Sequence, residues 1–187
     1  IADARQKADL RLESMIPFVI EKKSIFIHAN EARQIESAVN WARKNDLKII
    51  IVGGTDSWRL TDLLVKNNIP VILDKVEKVP MRRFEPVHLP YKTPFLLKEG
   101  GVQFCLNTRI GYPHDGNVRN LPNEAMRAAA YGLQKSEALR SITLSAAEIL
   151  DIDDLVGSLD VGKDATFFIS DKAPMEMSPK VLMAFIQ

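Results

Sequence analysis

Four short apolar runs alternate with amphipathic segments along the first half of the chain, and no other feature constrains the fold as strongly. The runs cover residues 24–27, 47–52, 69–73 and 102–106. Each is short and rich in Ile, Val, Leu or Phe, which predicts a strand buried on both faces. Between the first two runs, Ile35, Val39 and Ala42 recur at helical spacing. Such an alternation predicts an α/β fold with a parallel sheet and right-handed crossovers.

Two architectures satisfy this pattern, and the periodicity alone does not choose between them. One is an open, doubly wound sheet, and the other is part of a TIM-type (β/α) barrel. A complete barrel has eight strands and about 250 residues, whereas this chain has 187 residues. The barrel interpretation therefore requires that about half of the barrel lies outside this sequence.

Composition and charge exclude several classes of function. Lys and Arg number 25 against 24 Asp and Glu, so the formal net charge is +1. That balance predicts neither nucleic-acid binding nor attraction to an anionic membrane. No apolar run approaches the ~18 residues of a membrane span. Cys105 is the only cysteine and is expected to be a buried thiol. Localisation stays open between cytoplasmic and exported, because the chain starts at Ile1 without an initiator Met.

The C-terminal third has a different pattern. Pro122 suits the first turn of a helix, and a second helix is expected over 137–142. Ser145 and Glu148 have the spacing of a capping box at the start of a third helix. A strand is expected over 165–169, after two glycine-bearing turns.

Segments 138–150 and 156–165, which read ALRSITLSAAEIL and VGSLDVGKDA, resemble the C-terminal signature of the amidohydrolase superfamily. The sequences at 119–122 and 130–133 are similar to its imidazolonepropionase-like branch. Thr166 stands where that family usually has Asp. The resemblance extends upstream over essentially the whole chain.

The resemblance implies a fold and a domain organisation. The four apolar runs would be strands five to eight of the barrel, so that strands one to four are absent. Residues 1–150 would form the C-terminal half of the barrel, and residues 151–187 would return to a small β-sandwich domain. The chain is then expected to be a fragment that is inactive alone. Its partner would be the remainder of its own barrel or another copy of the chain, covering the open sheet edges.

The resemblance also implies a metal site at the carboxyl ends of the strands. Hydrolases of this family bind one or two divalent metals there, commonly zinc, which activate a water molecule. His28 follows the first apolar run and matches the metal ligand of the fifth strand. The plainer interpretation is a lone histidine at a strand end. Asn30 is expected either to shape the same pocket or, as we favour, to cap the following helix.

The other ligands expected in this half are missing from their usual positions. The sixth strand normally ends in His, but here Gly53 and Gly54 follow it, which favours a tight turn over an anion-binding backbone. The eighth strand normally ends in Asp, but Arg109 falls nearest that position, beside Asn107 as a substrate-binding candidate. Arg109 could hold an anionic substrate group. His114 and Asp115 could fold back as catalytic replacements, although Asp before Gly116 is typical of a turn.

Three functional hypotheses remain on sequence alone. The first is a hydrolase of C–N bonds in small non-peptide molecules such as cyclic amides. The second is a non-catalytic relative that has lost its metal site and serves in binding or assembly, so that no metal is bound. The third is an open-sheet module for nucleotides or sugar phosphates, for which the Gly53–Gly54 turn is the only support.

Overall fold

The computed structural model describes residues 9–108, 119–176 and 179–187, and it contains the predicted alternation of strands and helices. The helices are α1 Leu10–Ile20, α2 Ala32–Asn45, α3 Thr61–Lys66, α4 Leu89–Glu99, α5 Leu121–Ala130, α6 Lys135–Ser141 and α7 Leu144–Ile149. The strands are β1 Ile25–Ala29, β2 Ile49–Gly53, β3 Val71–Leu73, β4 Phe104–Leu106, β5 Phe167–Ser170 and β6 Val181–Phe185. A 3₁₀ turn spans Ser57–Arg59.

Strands β1 to β4 form one parallel sheet in the order β1-β2-β3-β4. Each strand therefore pairs with the next strand in the sequence, and the order does not reverse among these four strands. A doubly wound sheet has a reversal of strand order at its ligand-binding crevice. The consecutive order is consistent with the winding of a (β/α) barrel.

The sheet has an outer face covered by helices. Side chains of every strand pack there against α2 to α6 in one core, which includes Ile51, Val71 and Leu106 from the strands. From the helices, Ile35 of α2 and Leu97 of α4 are completely buried in the same core. This burial is the main stabilisation of the fold, since each such side chain contributes about 1.5–3 kcal/mol.

The inner face of the sheet carries the alternate residues and is only partly covered. Helix α7 packs over part of the inner face. There, Ile149 forms a second buried cluster with Ile50 and Cys105. Lys48, just before β2, bonds Asp151 at 2.7 Å, which places the end of α7 near the amino ends of the strands. The carboxyl ends of the strands are the opposite edge, which α7 leaves open.

The predicted capping box at the start of α7 is wrong. Thr143 is the N-cap residue, and Ser145 lies inside the helix. Arg140 of α6 instead bonds the Ser145 hydroxyl at 2.7 Å and the Glu148 carboxylate at 2.6 Å. Ser145 and Glu148 thus bond α7 to α6 and do not cap α7.

The start of one helix also differs from the sequence prediction. Helix α4 begins at Leu89 rather than near residue 94, because Pro90 is accommodated in its first turn. The long connection after β3 is therefore 74–88. Strand β5 pairs antiparallel with β6, and β6 is exposed along its length. No helix in the described ranges is long and apolar enough to span a bilayer.

Candidate functional site

The carboxyl ends of the four parallel strands lie along one edge, and backbone hydrogen bonds fix them relative to one another. These bonds run from the Gly54 amide to the Ala29 carbonyl (2.9 Å), from the Asp74 amide to the Gly53 carbonyl (3.2 Å) and from the Asn107 amide to the Leu73 carbonyl (2.9 Å). Polar residues follow all four strands, and the edge is the natural place for a site in a parallel α/β sheet.

His28 occupies the inner face near this edge. Its Cα is in register with Val52, which is in register with Ile72 and, through it, with Cys105. These four residues form one row across the sheet, on the face opposite the helical layer. His28 is exposed, as the sequence hypothesis requires of a group that meets substrate or metal.

Cys105, at the other end of that row, is 5% exposed. Burial raises the pKa of its thiol to about 12. The thiol therefore stays protonated near neutral pH, where only a thiolate would bind metal or act as a nucleophile. The prediction of a buried core thiol is confirmed.

Asn30 does not cap α2, so the favoured sequence interpretation of this residue is wrong. Glu31 and Gln34 form a capping box there, and the Gln34 side chain also accepts the Asn30 amide at 3.0 Å. The Asn30 side-chain oxygen instead accepts the Thr55 hydroxyl at 2.8 Å. Thr55 in turn accepts the Lys78 ammonium at 3.0 Å. These two hydrogen bonds thus join the ends of β1 and β2 to the connection after β3.

The Gly53–Gly54 pair makes a tight turn that other residues cannot adopt easily. Both have positive φ, 101° and 58° respectively. A Cβ on Gly53 would lie 2.6 Å from the Asn30 side-chain oxygen, and one on Gly54 would lie 2.6 Å from a Val71 methyl. The Gly54 amide is already bonded to the Ala29 carbonyl. The turn accounts for both glycines, and their role in substrate binding stays a prediction.

Asp56 is the centre of a charged cluster that sequence reasoning missed. It is 1% exposed and accepts both ends of the Arg82 guanidinium, at 2.8 and 2.6 Å, together with the Ala32 amide at 3.1 Å. Asp56 therefore caps the amino end of α2, which is distant in sequence, and not the turn in which it lies. Glu85 completes the cluster by accepting Arg82 at 2.7 Å and Arg59 at 3.2 Å.

The cluster is structural rather than catalytic. The hydrogen bond from Arg82 holds the pKa of Asp56 below its usual range, and the pKa of Arg82 is raised further above neutrality by Asp56 and Glu85. Asp56 and Arg82 therefore keep their charge near pH 7, and the polar atoms of the cluster bond one another. The cluster thereby holds the 74–88 connection against the end of β2. No pattern in the sequence predicts this cluster, because Asp56 and Arg82 are 26 residues apart in unrelated segments.

The donors that the structure describes do not by themselves form a metal site. Within the described ranges, no three His, Cys, Asp or Glu side chains come together. His28 lies on the inner face at the end of β1, and Asn107 directly follows β4. Arg109, His114 and Asp115 lie outside the described residues.

The geometry defines an α/β protein with a candidate site at the carboxyl edge of a consecutively wound parallel sheet. Comparison with known proteins agrees with it. Residues 94–186 match the model of the amidohydrolase family. An imidazolonepropionase from Fusobacterium nucleatum is 31% identical over 83 residues, which are 41% of this chain and 19% of that protein. The C-terminal half of the chain thus resembles the amidohydrolase family in sequence, and the chain as a whole fits the amidohydrolase superfamily.

Solved structures show the same fold. An amidohydrolase from Thermotoga maritima MSB8 superposes with a TM-score of 0.81 at 25% identity, covering 97% of this chain and 46% of its own. A zinc-bound adenosine deaminase from Xanthomonas campestris superposes with a TM-score of 0.62 at 17% identity, covering 96% and 48%. The chain thus spans about half the length of these structures.

Proposed function

We propose that the protein to which this chain belongs hydrolyses C–N bonds in small non-peptide molecules, with cyclic amides as the substrate class. The single observation that carries the proposal is the position of His28, exposed on the inner face at the carboxyl end of β1, in a chain of amidohydrolase type. The relatives' names, imidazolonepropionase and amidohydrolase, support the same reaction class.

The chain supplies one side of that site. In this proposal β1 to β4 are strands five to eight of a (β/α) barrel, and residues 151–187 lead to a small β-sandwich domain. The consecutive parallel order supports the assignment, as does coverage of about half of each solved relative. The chain alone is then inactive, because substrate would be held from one side only.

His28 is proposed as a metal ligand, and Asn30, Gly53, Gly54 and Asn107 as neighbours of the substrate. The described donors do not fit a complete cation site, so we derive no catalytic step through a metal. Arg109, His114 and Asp115 are proposed as the remaining polar groups, with Arg109 holding an anionic substrate group. Binding of an anionic substrate unchanged by Arg109→Ala in the full-length protein would contradict that role.

The test is metal analysis and hydrolysis by the full-length protein. The substrates would be a panel of cyclic amides that includes imidazolone propionate, after which the Fusobacterium relative is named. We expect hydrolysis that falls at least ~100-fold in His28→Gln. His88→Gln is the matched control, because His88 is exposed and stacks on Tyr131 at 6.3 Å. Equal activity of the two variants would contradict the proposed role of His28 as a metal ligand.

A non-catalytic relative is the second candidate. The observation that favours it is the Gly53–Gly54 turn, which stands where the family's sixth-strand histidine is expected. A full-length protein that is reproducibly free of metal and inactive on the whole panel would support this candidate over the hydrolase.

A further inference from the structure

Asp74 places a carboxylate at the carboxyl edge of the sheet. It directly follows β3, and its amide bonds the Gly53 carbonyl at 3.2 Å, so the hydrogen bonding of the sheet continues up to this residue. Asp74 lies two residues beyond Ile72, which shares a row across the sheet with His28. Because side chains alternate along a strand, Asp74 belongs to the face of the sheet that carries His28.

The structural role that is usual for an aspartate in such a place is taken by another residue. An Asp at the start of a turn ordinarily accepts the amides that follow it. The Val76 and Glu77 amides instead bond the Glu124 carboxylate of α5, at 2.7 and 3.1 Å. Within the described ranges, the Asp74 carboxylate accepts no hydrogen bond and forms no ion pair. The contacts of the fold therefore do not account for a carboxylate at this position.

The other carboxylates close behind the strands are engaged in contacts within the protein. Glu31, after β1, accepts a backbone amide of α2 in the capping box. Asp56, after β2, accepts the Arg82 guanidinium and the Ala32 amide. Among the described residues that directly follow β1 to β4, Asp74 is thus the carboxylate with oxygens available to a substrate or a water molecule.

A narrow cleft reaches Asp74 from solvent. It lies between the 74–88 connection and the first turn of α4, and Asp74, Thr55 and Lys78 border it together with Glu85. The Glu85 carboxylate is bonded to arginines, whereas the Thr55 hydroxyl links the cleft to Asn30 at the end of β1. A carboxylate, a hydroxyl and an ammonium around a narrow space are the polar partners that hold a water molecule.

We propose that Asp74 is the general base of the hydrolysis proposed above, on which this inference rests. The Asp74 carboxylate takes a proton from a water molecule while the water oxygen forms a bond to the amide carbonyl carbon. The C–N bond then breaks, and the proton passes from Asp74 to the departing nitrogen. The products are a carboxylic acid and an amine, and Asp74 returns to its starting state. A positioned base contributes about 10²–10⁴-fold to such a step.

The experiment is steady-state hydrolysis by the full-length protein, with the cyclic amide of the panel that the wild type hydrolyses fastest. We expect Asp74→Asn to lower kcat at least ~100-fold with little change in KM, because the base acts in the transition state. Asp74→Glu keeps a carboxylate and should recover part of the rate. Asp62→Asn is the matched control, since Asp62 is exposed in the first turn of α3, and it should match wild type. Unfolding midpoints would verify that the variants are folded.

Chemical rescue separates a base from a residue that only supports the structure. Asp74→Ala leaves room at the cleft for a small carboxylate, so added formate should restore activity with increasing concentration. Chloride at equal ionic strength should not, and formate should not raise the activity of wild type or of His28→Gln.

The outcomes distinguish this inference from the proposed function. An active wild type with an equally active Asp74→Asn, a loss confined to KM, or an Asp74→Ala that formate does not restore would overturn the role of Asp74 and leave the hydrolase proposal standing. A full-length wild type that hydrolyses no member of the panel would overturn both.

Discussion

At the scale of single residues, the ends of the strands depend on one buried carboxylate. Asp56 receives the Arg82 guanidinium and the Ala32 amide, and it joins β2, α2 and the connection after β3. Removing one partner of a buried, hydrogen-bonded charge pair leaves the other uncompensated, which costs more than the pair contributes.

We therefore predict that Asp56→Asn lowers the free energy of unfolding by about 2–3 kcal/mol. Asp153→Asn is the control, because Asp153 is exposed with no ion pair among the described residues. Urea unfolding at pH 7 measures both. If the two variants unfold at the same urea concentration, the cluster does not contribute to stability.

The same carboxylate predicts a dependence on pH. The folded-state pKa of Asp56 is lowered by Arg82, so its contribution is fully present above the unfolded pKa of about 3.9 and is lost as pH falls through the folded pKa. The difference in unfolding free energy between wild type and Asp56→Asn should be constant from neutral pH down to about pH 5. It should shrink at lower pH, and a difference that instead grows on acidification would contradict this sign.

The Gly53 position combines backbone strain with a close contact, and two substitutions separate them. Gly53→Ala meets both a φ of 101° and the Asn30 oxygen at 2.6 Å, whereas Gly101 has a φ of 75° and its nearest contact is at 3.8 Å. We expect Gly101→Ala to cost about 1 kcal/mol and Gly53→Ala about 2–3 kcal/mol. Equal losses in urea unfolding would mean that Asn30 moves aside freely.

At the scale of elements, α7 determines which end of the sheet is open. Ile149 is 3% exposed and packs with Ile50 and Cys105 on the inner face. The helix thereby covers the amino ends of the strands and leaves the edge with His28 accessible. This arrangement separates a covered end of the sheet from the open end at which His28 lies.

We predict that Ile149→Ala lowers the free energy of unfolding by about 2–4 kcal/mol through the cavity that it leaves. Ile152→Ala, at a side chain that is 38% exposed, should cost less than about 1 kcal/mol. Thermal and urea unfolding would distinguish them. A small effect at Ile149 would show that α7 does not cover the inner face.

At the scale of the whole molecule, the four-stranded sheet has two edges, β1 and β4, that pair with no further strand of the described residues. The Ile25 amide bonds the Lys48 carbonyl, so the Phe26 and His28 amides point by alternation to the open edge of β1. Open edges recruit further strands. The proposed remainder of the barrel would supply them.

Hydrogen exchange tests this completion. We expect the Phe26 and His28 amides to exchange rapidly in the isolated chain and to become protected when the remainder of the barrel is added. The Ile72 amide, in an interior strand, is the internal control and should stay protected throughout. Protection at β1 that instead rises with the concentration of the chain alone would assign this edge to a second copy.

The sequence predicts the α/β class, the four strands, the buried Cys105 and the likeness to amidohydrolases, because apolar periodicity and a local signature lie in neighbouring residues. It could not choose between a barrel and an open sheet. The choice lies in the order of strand pairing, which depends on contacts between distant segments.

Some features of the candidate site could likewise be predicted from the sequence, and others could not. His28 was predictable because it directly follows a strand. The hydrogen bonds that join Asn30, Thr55 and Lys78 and the ion pair of Asp56 with Arg82 were not predictable. Each joins segments that are some 25 residues apart in the chain. Only the tertiary structure sets those contacts, because long-range packing overrides local preference.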